Sequence, residues 1–145
     1  MWRSVEKGLV AMALAELATH FDFKILAHAV AKTDLNAKVT QGFDFDTCNF
    51  VVVATQGNGD SEALRAAVSG GCGYVSFVGS RRKFDAIATK LVTENPSLEP
   101  NLKKVNAPAG LSINAITPDE IALSILAEIT QLRRANFATR DNGDV

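Results

Sequence analysis

The stretch Phe50–Leu64, FVVVATQGNGDSEAL, constrains the fold of this chain more than any other. It opens on Phe50, Val51, Val52 and Val53, an apolar and mostly β-branched run. Such a run reads as a strand buried on both faces, the kind that parallel sheets contain. The residues from Thr55 to Asp60 are small or polar and include Gly57 and Gly59. Beyond Ser61 the pattern turns helical, with Leu64 and Val68 on one face beside Ala63, Ala66 and Ala67. Strand, glycine-bearing turn and helix make half of a βαβ unit. In open α/β sheets ligands bind outside the carboxyl ends of the strands, where this turn falls. Glycine lets the backbone approach a ligand, and the following helix aims free N–H groups at an anion. Thr55, Gln56, Gly57, Asn58, Gly59 and Asp60 therefore form one half of a candidate cofactor cradle. The competing reading makes the turn a plain connection, with Asp60 as the helix N-cap.

A second unit of the same kind follows. Gly73–Val78 (GYVSFV) reads as a buried strand, and it delivers Gly79, Ser80, Arg81, Arg82 and Lys83 at its end. Phe84, Ile87, Ala88, Leu91 and Val92 then recur at helical spacing, so the basic triplet falls in a first helical turn. That end of a helix is partly positive, and a cation there costs a few tenths to ~1 kcal/mol. A fixed anion would turn the penalty into binding. Gly79, Ser80, Arg81 and Arg82 are the second half of the candidate cradle; the alternative leaves the arginines solvated and pointing away.

The remaining segments fit around these two units. Gly8–Thr19 reads as a nearly uncharged helix that packs on a sheet, through Leu9, Met12, Leu14 and Leu17. Phe23–Val30 reads as a strand with His28 as a neutral interior histidine, and Lys38–Thr40 has room for a short edge strand. Pro96 and Pro100 mark a surface segment, and Asn106–Thr117 a long loop of low charge. Thr117-Pro118-Asp119-Glu120 is a capping box with proline at the first helical position. The last helix is expected to close at Arg133 and Arg134, suited to the negative end of the dipole, with a polar fraying tail from about residue 136.

Composition excludes several classes. The chain has 145 residues, enough for one domain with a real core, and no internal repeat or linker divides it. With 21% charged residues and a net charge of -1, nothing draws it in bulk to nucleic acid. No apolar run approaches the ~18 residues of a membrane span, and MWRSVEKG lacks the order of a secretion signal. Cys48 and Cys72 read as separate core thiols, so a cytoplasmic location is expected. With His20 and His28 as the only histidines, the cysteines form no metal motif.

Strands alternating with helices predict an α/β fold: a Rossmann-like parallel sheet with helices on both faces. The strand expected before the first helix has only Trp2–Val5 available, so it is truncated. A homo-oligomer or a partner chain is expected to cover the gap.

Three stretches resemble the XdhC/CoxI family of xanthine dehydrogenase accessory factors, in its C-terminal Rossmann-like domain. They are ATQGNGDSEAL from Ala54, YVSFVGSRRK from Tyr74, and APAGLSINAITPDEIALSILAEI from Ala107. The resemblance implies a cytoplasmic maturation factor that binds molybdenum cofactor and helps deliver it, in sulfurated form, to a molybdenum hydroxylase of the xanthine or carbon monoxide dehydrogenase type. It implies an accessory role rather than the hydroxylase's own catalysis, with a cofactor sulfurase as a further partner. The family's glycine motif falls on Glu6, Gly8 and Ala11, so only its middle glycine is present. Ala29 stands near the place of the acidic residue that would hold a ribose hydroxyl, so NAD binding is not expected. Gln56 and Asn58 stand where family members often have histidines, and Ser112 and Asn114 where they often have aspartate and glycine. Amides can hydrogen-bond a pterin but relay no proton near neutral pH. Two alternatives accompany this reading: a diverged interaction module of the same fold, and a nucleotide-dependent oxidoreductase, which the incomplete glycine motif disfavours.

Overall fold

The structure, a computed structural model, describes residues 9–21, 26–28, 38–40, 50–55, 59–70 and 73–143. Helix α1 is Leu9–Ala18. Strands β1 (Leu26–His28) and β2 (Lys38–Thr40) pair in parallel, Leu26 opposite Lys38 and His28 opposite Thr40. Strand β3 (Val51–Val53) leads to helix α2 (Asp60–Ser69), and β4 (Val75–Phe77) to helix α3 (Arg81–Glu94). A 3₁₀ turn at Pro96–Leu98 and the short helix α4 (Glu99–Leu102) follow, and the chain ends its described part in α5, Pro118–Gly143.

Strands β3 and β4 are parallel neighbours, Val51 opposite Val75 and Val53 opposite Phe77. The ladder continues past them: the Val78 amide donates to the Val53 carbonyl at 2.8 Å. Beyond β4 the chain near Asn106 runs parallel to it, bridging Ser76 and exchanging hydrogen bonds with Val75 and Phe77.

Period-2 alternation divides the side chains between two cores. Val51, Val53, Val75 and Phe77 face α2, α3 and α4, where Leu64, Phe84 and Leu91 meet them. Phe50, Val52, Tyr74 and Val78 face the other way, toward Val10 of α1 and Ile121 and Ile125 of α5. This is the Rossmann-like α/β arrangement, with helices on both faces of a parallel sheet.

Three expectations are corrected. The segment after Pro96 is not merely surface: Leu98 and Leu102 are buried in the first core, because its turns roll their leucines inward. Helix α1 rests on α5 and buries the small residues Val10, Ala15 and Ala18, leaving Met12 39% exposed. Small side chains let the two helices approach closely, while Leu14 packs, partly buried, on the core that α1 shares with the sheet, as expected. Helix α5 runs on to Gly143, well past Arg133 and Arg134, so the segment from residue 136 begins as helix and the two arginines close nothing. Trp2–Val5, Ala29, Cys48, Cys72 and the side chain of His28 lie outside the described residues.

Candidate functional site

Two turns meet at the carboxyl ends of β3 and β4. In the first, Gly59 adopts φ +79°, a left-handed conformation that glycine enters without steric cost. It occupies the N-cap of α2, and its carbonyl accepts the Ala63 amide at 3.0 Å. Asp60 is therefore not the cap but the first residue of the helix. Its carboxylate is only 8% exposed and accepts the Thr55 hydroxyl proton. A negative charge is favoured at that end of a helix, where the dipole is positive. A Cβ on Gly59 would meet no atom of the described residues within 4 Å, so among them the backbone is open to approach at that point.

The second turn is set by sterics. A Cβ on Gly79 would fall 2.6 Å from the Phe77 ring, so the tight exit from β4 takes glycine. Ser80 caps α3, its hydroxyl accepting the Lys83 amide at 3.1 Å. The basic triplet does occupy the first helical turn, as the spacing predicts. Its three cations have different surroundings. Arg81 pairs with Asp85 at 3.2 Å, lies over the Phe84 ring at 5.3 Å, and reaches the Ala107 carbonyl at 3.4 Å. Lys83 crosses to Asp60, Nζ to carboxylate at 3.1 Å. Arg82 is exposed and makes no hydrogen bond or ion pair among the described residues.

The structure thus brings Thr55, Gly59 and Asp60 beside the first turn of α3. Between the two helix starts lies a crevice of about 500 Å³, lined by Gly59, Asp60, Ser61, Glu62, Lys83 and Ile87 among others. It is shallow and largely open to solvent. Gln56, Gly57 and Asn58 belong to the same turn but lie outside the described residues. Sequence reasoning missed Lys83 as a site residue, although it completes the basic triplet. A lysine's partner across the fold leaves no local signal.

The loop after β4's neighbour borders the same end of the sheet. The Ala109 amide donates to the Phe77 carbonyl at 2.9 Å, and Ser112 and Asn114 are exposed, Asn114 at φ +61°. On the opposite face of the sheet, Tyr74 donates its hydroxyl to Glu128 of α5. Burial first, and the adjoining carboxylate second, hold its phenol well above the usual range. That pair ties α5 to β4 and takes no part in the crevice. No cluster of three or more His, Cys, Asp or Glu side chains suited to a metal ion occurs among the described residues. Nor is any helix among them long and apolar enough to cross a membrane.

A sequence profile described as the XdhC Rossmann domain matches residues 5–129. The uncharacterized protein YqeB of Escherichia coli (strain K12) is 30% identical over 142 residues, which is 87% of this chain and 26% of that protein. A crystal structure described as a xanthine dehydrogenase from Bacillus halodurans superposes with a TM-score of 0.69 at 22% identity, over 89% of this chain and 41% of that one. The second likeness concerns the fold. The chain spans about a quarter of the curated relative and about two fifths of the solved chain.

Proposed function

The chain belongs to the XdhC family through its Rossmann domain, and from that premise we propose that it is an accessory factor of a xanthine dehydrogenase-type molybdenum hydroxylase, which holds the enzyme's molybdenum cofactor and hands it on. The supporting observation is the crevice between the starts of α2 and α3. It is lined by an open left-handed glycine, a buried hydrogen-bonding carboxylate and Lys83, and Arg82, uncommitted among the described residues, precedes Lys83 in the same helical turn. In this reading Arg82 and the helix starts meet the phosphate of a pterin, beside a crevice to which Asp60 and Glu62 bring negative charge. Arg82 supplies a planar fork that matches a phosphate, and free backbone N–H groups at a helix start favour the same charge. Gly59, Asp60 and the Gly79–Arg82 turn hold the ligand in this reading, with Gln56 and Asn58 as amide partners from the same turn. The cofactor would supply its molybdenum chemistry only after transfer to the hydroxylase. The residues of this chain bind and orient it.

A second reading, a docking module without cofactor, draws support from the internal partners that Arg81 and Lys83 already have. Transfer separates the two. The purified protein, loaded with cofactor and freed of excess, is mixed with a cofactor-free molybdenum hydroxylase. The accessory reading expects activity to appear in proportion to loaded protein; an unloaded protein that restores the same activity would leave only the docking role.

A further inference from the structure

The outer face of the α1–α5 layer carries an apolar stripe that nothing among the described residues covers. Leu123 and Phe21 are 53% and 48% exposed, and both line an open groove between the end of α1 and the middle of α5. Leu17, Leu126, Ala127, Thr130 and Gln131 complete its walls, which are almost wholly apolar. Along α5 the stripe follows helical spacing through Glu120, Leu123, Ala127, Gln131 and Arg134. Its two ends carry opposite charge. Both capping hydrogen bonds of the Glu120 carboxylate end on Oε1, so Oε2 has no partner among the described residues. Arg134 is exposed and makes no hydrogen bond or ion pair among them either.

We infer that this stripe seats a second copy of the chain, whose α5 crosses the first antiparallel at Ala127. A two-fold pair of this kind is self-complementary: each residue meets the one equally far beyond the axis. Glu120 and Arg134 stand seven residues before and after Ala127, about 10 Å along the helix either way. Each carboxylate then meets the guanidinium of the other copy, at both ends of the seam. A parallel pair would set Glu120 on Glu120 and Arg134 on Arg134. Ala127, on the axis, has the small side chain that lets two helices approach at a shallow crossing of ~20°. Leu123 of one copy lies over Gln131 of the other, beside the Leu17 and Phe21 wall of the groove, and leaves water there. A seam of this length is small beside a standard interface, so the dimer belongs to the micromolar range. The crevice lies in the α2–α3 layer on the other face of the sheet, so pairing leaves it open in both copies.

Sedimentation velocity of the full chain, from about 1 to 100 µM, reads the pairing. The parent is expected to pass from monomer to dimer in that range. Leu123→Glu, at an exposed position, should raise the dissociation constant at least about tenfold. Arg134→Glu sets acid against acid and should raise it about fivefold, a difference that shrinks in high salt. Cysteine cross-linking in a Cys48→Ser, Cys72→Ser background reads the orientation. An equimolar mixture of Leu123→Cys and Gln131→Cys should oxidise mainly to the mixed dimer, and Ala127→Cys to a dimer with itself. Lys90→Cys, on the opposite layer, should stay unlinked. A parent chain that remains monomeric at the highest concentration overturns the inference and leaves the groove to a different protein. A dimer that Leu123→Glu does not weaken overturns it too, and puts the contact elsewhere, as at a sheet edge. Leu123→Cys linked to itself in excess of the mixed dimer is equally fatal. If the serine background fails to fold, Leu123→Glu and Arg134→Glu in the parent chain decide.

Discussion

Gly110 is more crowded against an added Cβ than Gly59, Gly73 or Gly79. Its φ is +96°, and a Cβ there would lie 2.2 Å from the Ser124 hydroxyl oxygen and 2.9 Å from the Ser124 carbonyl carbon. The contact is part of the seam between the last loop and α5, where the Leu111 amide donates to the Ser124 carbonyl at 3.0 Å. Gly59 offers a natural comparison, because it has the positive φ without the crowding. Gly59→Ala should cost ~1–2 kcal/mol, the penalty of a left-handed side chain. Gly110→Ala adds overpacking of ~1–3 kcal/mol to a similar penalty. Urea denaturation of the two variants should show the larger loss at Gly110; equal losses would contradict the packing described. In the sequence, Gly110 is one glycine in a loop, and only its neighbour on α5 reveals the constraint. Arg81 and Arg82 teach the same lesson. They are adjacent, alike in sequence and both exposed, yet a carboxylate, a ring and a carbonyl engage the first, while the second makes no hydrogen bond or ion pair among the described residues.

At the scale of elements, the start of α5 is legible in the residues themselves, because a capping box is a local pattern. The Thr117 hydroxyl accepts the Glu120 amide at 3.2 Å, and the Glu120 carboxylate accepts the Thr117 and Ile116 amides at 2.9 and 3.1 Å. Those hydrogen bonds, the backbone ones first, hold the Glu120 carboxyl below its ordinary 4.5. A depressed folded pKa stabilises the fold above the unfolded value and ceases to do so as pH falls through the folded one. The melting advantage of the parent over Glu120→Gln should therefore be full above about pH 4.5 and vanish in more acid solution. An advantage that persists unchanged at low pH would mean that it does not depend on the carboxylate's charge; no advantage at any pH would mean that the amide caps as well. Strands β3 and β4 are legible for a related reason: short β-branched runs have few other places in a fold, and their alternation predicts two cores. The end of α5 is not, because a polar sequence carries no apolar periodicity to mark a helix that continues. Leu98 and Leu102 are hidden by the prolines beside them, which signal a break and not the direction in which the break turns.

For the molecule as a whole, the sheet sits between two helical layers, and the α2–α3 side carries the crevice while the α1–α5 side carries the Tyr74–Glu128 tie. The architecture and the two glycine turns follow from local pattern, so both halves of the candidate site are proposed from the sequence. What joins them, Lys83 to Asp60, is a contact between two separate helices and has no local trace. The XdhC Rossmann domain thus brings to this chain a cleft partly neutralised from within. The proposed cofactor role rests most directly on Arg82. Arg82→Ala should weaken cofactor by ~1.5 kcal/mol or more, the scale of a charged hydrogen bond, without lowering the melting temperature. The decisive measurement is molybdenum bound per chain after incubation with molybdenum cofactor and removal of the excess. The account predicts molybdenum retained near one per chain by the parent protein and about tenfold weaker retention by folded Arg82→Ala. Parent protein that retains no molybdenum, or an Arg82→Ala chain that retains as much, would contradict it.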